Sequence, residues 1–460
     1  MKKITLYIAA ALTLTAGGCK KFLEVTPKGK VLPTTVTDYE MFMNDLLLAD
    51  AGYIITEFAT DDLLLNDEFA RNNSRSSKTY LWQKETMLIT DVDADWNRMY
   101  SNIFYCNLVL DKIDGATEGT AEDKARLKAE AKIHRAWYYF HLANIYGKEY
   151  TPATAGTDLG APLLLIPDLE AKTSRATVQA MYDQVLKDLN DAINTASLPE
   201  KGRNFVHPGK AAATALLARV QLYMGHYAEA KTAAEKALTY NATLLDHNTF
   251  VFANPAKPYN GVTNRPSAEN HPENLFTRNN GQTNSFTRFM ISPELLGIMG
   301  EKDLRFVFNF TRIPPSAATP AGAFPDYLRG AVNFSIGVPE MMLIKAEVLA
   351  RNNEKDGAVA LLNTIRQKRF KPGEYTPLSA ATADEALQLV LRERRLELLY
   401  KGVRLFDLKR LNADPRFRKD LSRQHNGQTY SLPAGSPNYL MEIAPKTIQI
   451  NPAILPNIRN

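Results

Sequence analysis

Apolar residues recur at helical spacing over most of this chain, and the places where that spacing fails divide it. Tyr39, Phe42, Met43 and Leu46 share one face of a helix predicted over residues 38–49. Residues 66–78 are polar and without period, which reads as a loop, with Tyr80 and Trp82 just beyond it. Asp95 has the residue type of an N-cap for a helix running to about Ile113, with Trp96, Tyr100, Ile103, Phe104, Asn107, Leu108 and Leu110 on its apolar face. A second long helix, Glu122 to about Tyr146, carries Ala129, Ile133, Ala136, Trp137, Phe140 and Ala143 on one side. Gly115 and Gly119 stand in the short connection, so the two helices should pack antiparallel. Further helices are predicted over 177–196, 208–224, 227–240 and 382–401.

Small residues add a finer pattern. Ala218 and Ala230 lie twelve positions apart across the turn Gly225-His226-Tyr227, and Ala346 and Ala358 repeat that spacing across Asn352-Asn353. Small residues at those points let two helices cross closely, the arrangement of a tetratricopeptide (TPR) hairpin of ~34 residues. Residues 241–335 break the series. They lack sustained helical period and are rich in Asn, Pro, Gly, Thr and aromatics, so they read as an irregular insert on a mostly α scaffold. Such inserts carry function more often than scaffolds do.

The N-terminus changes where the chain is expected to work. Met1-Lys2-Lys3 is basic, Ile4 to Thr15 is uncharged, and Ala16-Gly17-Gly18 leads into Cys19. That is the anatomy of a secretory signal over residues 1–18, too short to span a bilayer as a helix. The small residues before Cys19 resemble a bacterial lipobox, with Ala16 where a larger apolar residue is usual. Cys19 would then carry lipid, and two or three acyl chains hold a membrane stably where one does not. Residues 19–37 read as the tether. Cys106, the other cysteine, is left without a disulfide partner and is expected as a small buried hydrophobe. Fifty-five basic side chains face fifty acidic ones, and the excess is three without Lys2 and Lys3. So slight an excess is no argument for nucleic acid as a partner.

Signatures of catalysis and metal binding are largely missing. No histidine sits in an H-E-x-x-H context, there is no G-x-S-x-G and no P-loop, and His134 and His141 are expected to be packed. Asp91, Asp93 and Asp95 begin like a calcium loop, but Trp96 and Asn102 stand where Gly and Glu are needed, so a capped helix start is the better reading. Neither a metal nor another cofactor is expected.

Distributed motifs carry a resemblance. Cys19-Lys20-Lys21-Phe22-Leu23-Glu24-Val25-Thr26-Pro27 is similar to the start of the SusD/RagB family. Trp96, Tyr100 and Asn107 resemble its early helix. Arg135-Ala136-Trp137-Tyr138-Tyr139-Phe140 with Tyr146-Gly147 resembles the next, and Gly160-Ala161-Pro162-Leu163 follows. Glu340 to Glu347, the run Glu393-Arg394-Arg395-Leu396-Glu397-Leu398, then Gly402, Arg404 and Asp407-Leu408, and the closing Asn451-Pro452 and Asn457 match its C-terminal part. Lys401 departs from the usual glutamate, and Ile443-Ala444-Pro445 from the usual P-I-P.

The resemblance implies a SusD-like α-α superhelix with helical regions over 38–240 and 336–460 and a ligand face in 241–335. It implies a lipid-anchored protein of the outer membrane, exposed outward, that binds an oligosaccharide or a peptide and caps a SusC-like TonB-dependent transporter. It implies no enzyme activity. A TPR scaffold for protein contacts alone is the alternative reading. In the family, ligand residues come from the first loops and the irregular middle. Thr60-Asp61-Asp62 resembles the start of the first such loop, but Leu63-Leu64-Leu65 follows where glycan binders place tryptophans. The candidates are therefore Arg71, Asn72, Tyr80 and Trp82 from the first loop, and Tyr259, Phe276, Arg278 and Arg288 from the insert. The charged cluster Arg394/Arg395/Glu397/Arg404/Asp407 reads as structural, with Gly402 as the left-handed residue closing its helix.

Overall fold

The computed structural model describes residues 33–65, 74–280, 289–312 and 332–460. The signal segment, Cys19 and most of the tether lie outside the described residues, as do Arg71, Asn72 and Arg288.

Helix α1 (Val36–Met43) opens on a capping box in which Thr35 and Asp38 exchange hydrogen bonds with each other's backbone. It ends earlier than the periodicity suggests. The Asp45 side chain accepts from the Leu47 N–H and starts a separate 3-10 turn, Leu46–Ala49. Helix α2 (Ala94–Lys112) is capped by Asp93, not Asp95: Asp93 Oδ1 accepts from the N–H groups of Asp95 and Trp96. The Asp95 carboxylate, one turn inside, instead accepts from the N–H groups of Ile54 and Ile55, where the short helix Ile55–Phe58 begins.

Helix α3 (Ala121–Tyr146) is the axis of the molecule. Its exposed first turns are capped by Thr120 and Asp123, and from Ala129 onward nearly every side chain is buried. It packs between α2 and α4 (Val178–Ile193), which Thr177 caps. A helix buried all round must satisfy its polar side chains internally. Arg135 does so by a bidentate pair with Asp188 at 2.8 and 2.7 Å. His134 and His141 are packed: His134 Nε2 lies 2.8 Å from the Val206 carbonyl, and His141 sits between Trp137 and Tyr53.

The two TPR-like hairpins have the predicted geometry. Helices α5 (Lys210–Met224) and α6 (Tyr227–Tyr240) turn at Gly225, whose φ of 76° suits a residue without a Cβ. Helices α7 (Val338–Arg351) and α8 (Lys355–Arg366) turn at Asn352-Asn353. All four alanines of the repeated spacing are fully buried at the crossings. Although about a hundred residues separate them, the hairpins are neighbours: α6 packs on α7, and α9 (Ala383–Glu397) covers α7 and α8. The insert therefore leaves and re-enters a continuous helical stack, and the fold is mostly α. Helix α10 (Arg404–Asn412) and a hairpin of strands Leu421–His425 and Gln428–Leu432 follow. Gly402 does have a positive φ, 78°, yet α9 already ends at Glu397, so the glycine serves a later turn. A Cβ there would collide with the Tyr53 hydroxyl and stand 2.6 Å from Phe334 Cε1.

Short antiparallel pairs clip the insert to the scaffold. Leu63–Leu65 pairs with Phe289–Ile291, Asn274–Phe276 with Ile336–Gly337, and Asn279–Asn280 with Val332–Asn333. Phe276, Ile291, Phe310 and Phe334 join the same core as α3, so the insert shares its hydrophobic interior with the helices.

Candidate functional site

Two strand pairs form the junction of the insert with the scaffold: Leu65 lies opposite Phe289, and Asn280 lies opposite Val332.

Beside this junction is an open cavity of about 570 Å³. Residues 247–273 of the insert form one side, the end of α9 and Lys401 another, and Val332 and Asn333 a third. Its floor is a lattice of buried charges. Arg305 pairs with Asp303, Glu393 and Glu397 at 2.6–2.7 Å, and Arg369 pairs with Glu397 at 2.6 Å and Glu273 at 3.0 Å. Burial pushes the Glu397 carboxyl up, but the Arg369 and Arg305 guanidiniums outweigh it and hold the group well below the usual range. That is the wrong direction for a general acid, which needs a raised pKa.

A packed aromatic cluster backs the wall that His247 and Phe250 contribute. The His247 ring stacks on Phe250 at 4.8 Å, and Phe308 stands against Phe250 and Phe252 at 5.4 and 4.9 Å. Arg265 lies 5.1 Å over the Phe250 ring and donates to the Phe308 carbonyl at 3.0 Å, fixing the wall to the helix Leu304–Asn309. Burial, then Lys401, Arg369 and Arg265, depress His271 to about 3, and burial with Arg369 puts His247 well below its ordinary value. Both imidazoles are therefore neutral near pH 7 and offer hydrogen bonds without charge. Neutral hydrogen-bonding groups in an open cavity suit an uncharged polar ligand.

Among the candidates from the sequence, Tyr259 is half-buried in the turn Pro258–Asn260, next to the rim residues Asn260 and Gly261. Four others need correction, because their side chains are interior. Trp82 is 4% exposed, donates from Nε1 to the Ala59 carbonyl at 2.9 Å, and with Tyr80 sandwiches the buried Arg423. Phe276 and Arg278 lie under the insert. Arg278 stacks on Phe276 at 3.8 Å and over Trp137 at 5.0 Å, and its Nη2 donates to His134 Nδ1 at 2.9 Å. A solvent-borne ligand finds no free face on these rings. Aromatics in and beneath a loop look alike in sequence, and only packing separates them.

Thr60-Asp61-Asp62 also takes a different part. Asp61 is bidentate with Arg404 at 2.8 and 2.9 Å, and Asp62 accepts from Arg395 at 2.7 Å. Burial opposes ionisation of Asp61, and Arg404, Arg395 and Lys419 together hold it well below its ordinary range. These bonds fasten the strand Leu63–Leu65 to α9 and α10, and so anchor the base of the first loop. Both halves of the contact carry visible sequence motifs, but nothing local links residues more than three hundred positions apart. Each calcium-like aspartate has a structural partner: Asp91 accepts from the Leu88 N–H, Asp93 from Arg75 and the Tyr146 hydroxyl, and Asp95 from the N–H groups of Ile54 and Ile55. No group of three potential metal ligands occurs among the described residues.

Comparison with known proteins gives the same architecture a family. The profile described as "Starch-binding associating with outer membrane" matches residues 21–222, and that of the SusD family matches residues 333–453. A SusD-like protein of Formosa agariphila is 25% identical over 385 residues, 69% of this chain and 72% of that one. Among solved structures, a SusD superfamily protein from Bacteroides thetaiotaomicron superposes with a TM-score of 0.74 at 21% identity, covering 93% of this chain and 100% of that one. A surface glycan-binding protein A from Bacteroides uniformis does so at 0.71 and 16%, covering 92% and 99%. Two profiles of one family thus match more than two thirds of the chain between them, and the chain belongs to the SusD/RagB family.

Proposed function

We propose that this protein captures an oligosaccharide at the cell surface and passes it to a SusC-like TonB-dependent transporter, without chemical change to the ligand. The observation that carries the reading is the open cavity of the insert, with two neutral imidazoles over a locked charge floor. Family membership and the glycan-binding name of a structural neighbour support a carbohydrate as the ligand. Tyr259 directly precedes the cavity-lining Asn260 and Gly261, and Arg288 directly precedes Phe289 in sequence. Arg71 and Asn72 belong to the segment that starts from the same strand pair, so these four are the contacts proposed.

Lipid on Cys19 would hold the protein at the outer membrane with its body outward. The fourteen residues to Pro33 reach at most about 50 Å when extended, which lets a lid swing without leaving its transporter. No helix among the described residues is long and apolar enough to cross a membrane.

Calorimetric screening of soluble oligosaccharides and peptides, with product analysis of each mixture, tests the proposal. It expects saturable binding of an oligosaccharide and no turnover. Binding of peptides alone would replace the ligand class, and hydrolysis lost on removing one carboxylate would overturn the non-enzymatic reading.

A further inference from the structure

A second cavity, of about 410 Å³, opens where α3 ends, far along the chain from the insert. Two buried cations form its inner wall. Lys409 Nζ donates to the carbonyls of Asn144 and Gly147 at 2.7 and 2.6 Å. Arg175 donates only to carbonyls: Gly160 at 2.7 Å, Tyr146 at 2.9 Å, and Leu159 and Leu455 at 3.0 Å. Neither makes an ion pair with a carboxylate among the described residues. Of the other charged groups here, Lys148 is paired with Asp158 at 2.7 Å, which leaves Glu149 as the acid on the wall. The α3 C-terminus adds about half a negative charge. Two full positive charges exceed these, and a buried cation without a counter-charge is expensive to maintain. In line with that, burial lowers Lys409 to about 8, with Glu149 opposing.

Two further polar atoms lie in the same wall. Tyr439 Oη and Asn412 Nδ2 are buried beside each other, the amide being placed to donate to the phenol oxygen, and the Tyr439 O–H itself has no acceptor among the described residues. A buried hydroxyl without an acceptor is uncommon and calls for an explanation. The mouth, by contrast, is apolar: Pro437, Leu440 and Pro456 line it, and Ile458 is 83% exposed at its edge.

We infer that this cavity is a binding site for a small organic anion, its carboxylate against Lys409, Arg175 and the Tyr439 hydroxyl and its apolar body against Leu440 and Ile458. Capping of α3 explains why a cation stands at this helix end. It does not explain two of them, the hydroxyl without an acceptor, or a cavity with a greasy mouth. The site is separate from the cavity of the insert and does not depend on the ligand proposed there.

Calorimetry with hexanoate and with 1-hexanol, on the full chain in detergent, tests this. The account expects saturable heat with hexanoate and at least about tenfold weaker binding of 1-hexanol, since hydrogen bonds to a charged group are worth about 1.5–3 kcal/mol. Lys409→Met should abolish the hexanoate signal. Because that variant also loses a helix cap, the exposed Ile458 supplies a pair that leaves folding alone: Ile458→Glu should weaken hexanoate binding several-fold and Ile458→Lys should strengthen it. No saturable heat with the folded wild type up to about 10 mM overturns the inference. So does equal binding of 1-hexanol, or indifference to the charge at position 458.

Discussion

Replacing Asp61 by Asn removes one charge and keeps the shape, and the surrounding geometry sets how much that should matter. Asp61 is paired with Arg404 at 2.8 Å and with Arg395 and Lys419 at 3.1 Å. Arg395 would keep Asp62 and Glu294 at 2.7 Å, and Lys419 would keep Glu294 at 2.6 Å. Arg404 would keep only Asp62 at 3.9 Å among the described residues. The variant therefore strands one mostly buried guanidinium, and breaking a buried pair from one side costs about 3–5 kcal/mol. For 460 residues the unfolding entropy is about 1 kcal/mol/K, so Tm should fall by about 3–5 °C. The sign with pH follows from a folded-state pKa depressed below the ordinary 3.8. The contribution is fully present above that value and is lost as pH falls through the folded pKa, so wild type and variant should converge only below about pH 4. Urea unfolding of D61N, R404M and the double variant supplies the assay. The account expects the double variant to lose clearly less than the sum of the two. A D61N loss under about 1 kcal/mol, or strictly additive losses, would refute the anchoring role.

Three other outcomes can be checked in the same way. Gly402→Ala should lose at least about 2 kcal/mol in urea unfolding, because φ is +78° and the new methyl meets Tyr53 and Phe334; wild-type stability would contradict the close approach. Burial, then Asp62, raise Glu57 to about 8 against the Gly402 N–H that lowers it, so the folded state binds this proton more tightly than the unfolded chain does. The stability of wild type relative to E57Q should then fall by about 1.4 kcal/mol per pH unit between pH 5 and 8 and level off above, whereas a pH-independent gap would show Glu57 to be ionised. Phe276→Ala should cost about 3–5 kcal/mol of stability and leave glycan affinity of the folded protein unchanged. Tyr259→Ala should do the reverse, with stability within about 0.5 kcal/mol. Exchange of those two phenotypes would reverse the assignment of buried and ligand-facing aromatics.

The helical scaffold was legible because its information is local. Periodicity and alanine crossings each act over a short stretch of chain, and α3 to α9 lie close to where they place them. The errors were also local in origin. Asp93 and Asp95 compete for the same cap, and Asp45 offers the backbone a bond that ends α1 early. The stacking of α6 on α7 was not legible, since an insert of about a hundred residues hides the continuity of the two hairpins. The site was harder still. Arg278 and Phe276 have the composition of a sugar subsite but fill the space beneath the insert. The charges that shape the cavity floor come from 273, 303–305, 369 and 393–397, brought together only by the tertiary fold. Lys401, seen in the sequence only as a departure from the family pattern, stands on the cavity wall.

The ligand is placed over the cavity lined by residues of 247–273, the end of α9, Lys401 and Val332. Amide hydrogen exchange with and without a bound oligosaccharide tests it most directly. The account predicts protection within 247–273 and in the segments flanking Leu65, Phe289 and Val332, with no change around Lys148, Lys409 and Tyr439. Protection confined to that second cavity, or to the outer faces of the helical hairpins, would contradict it.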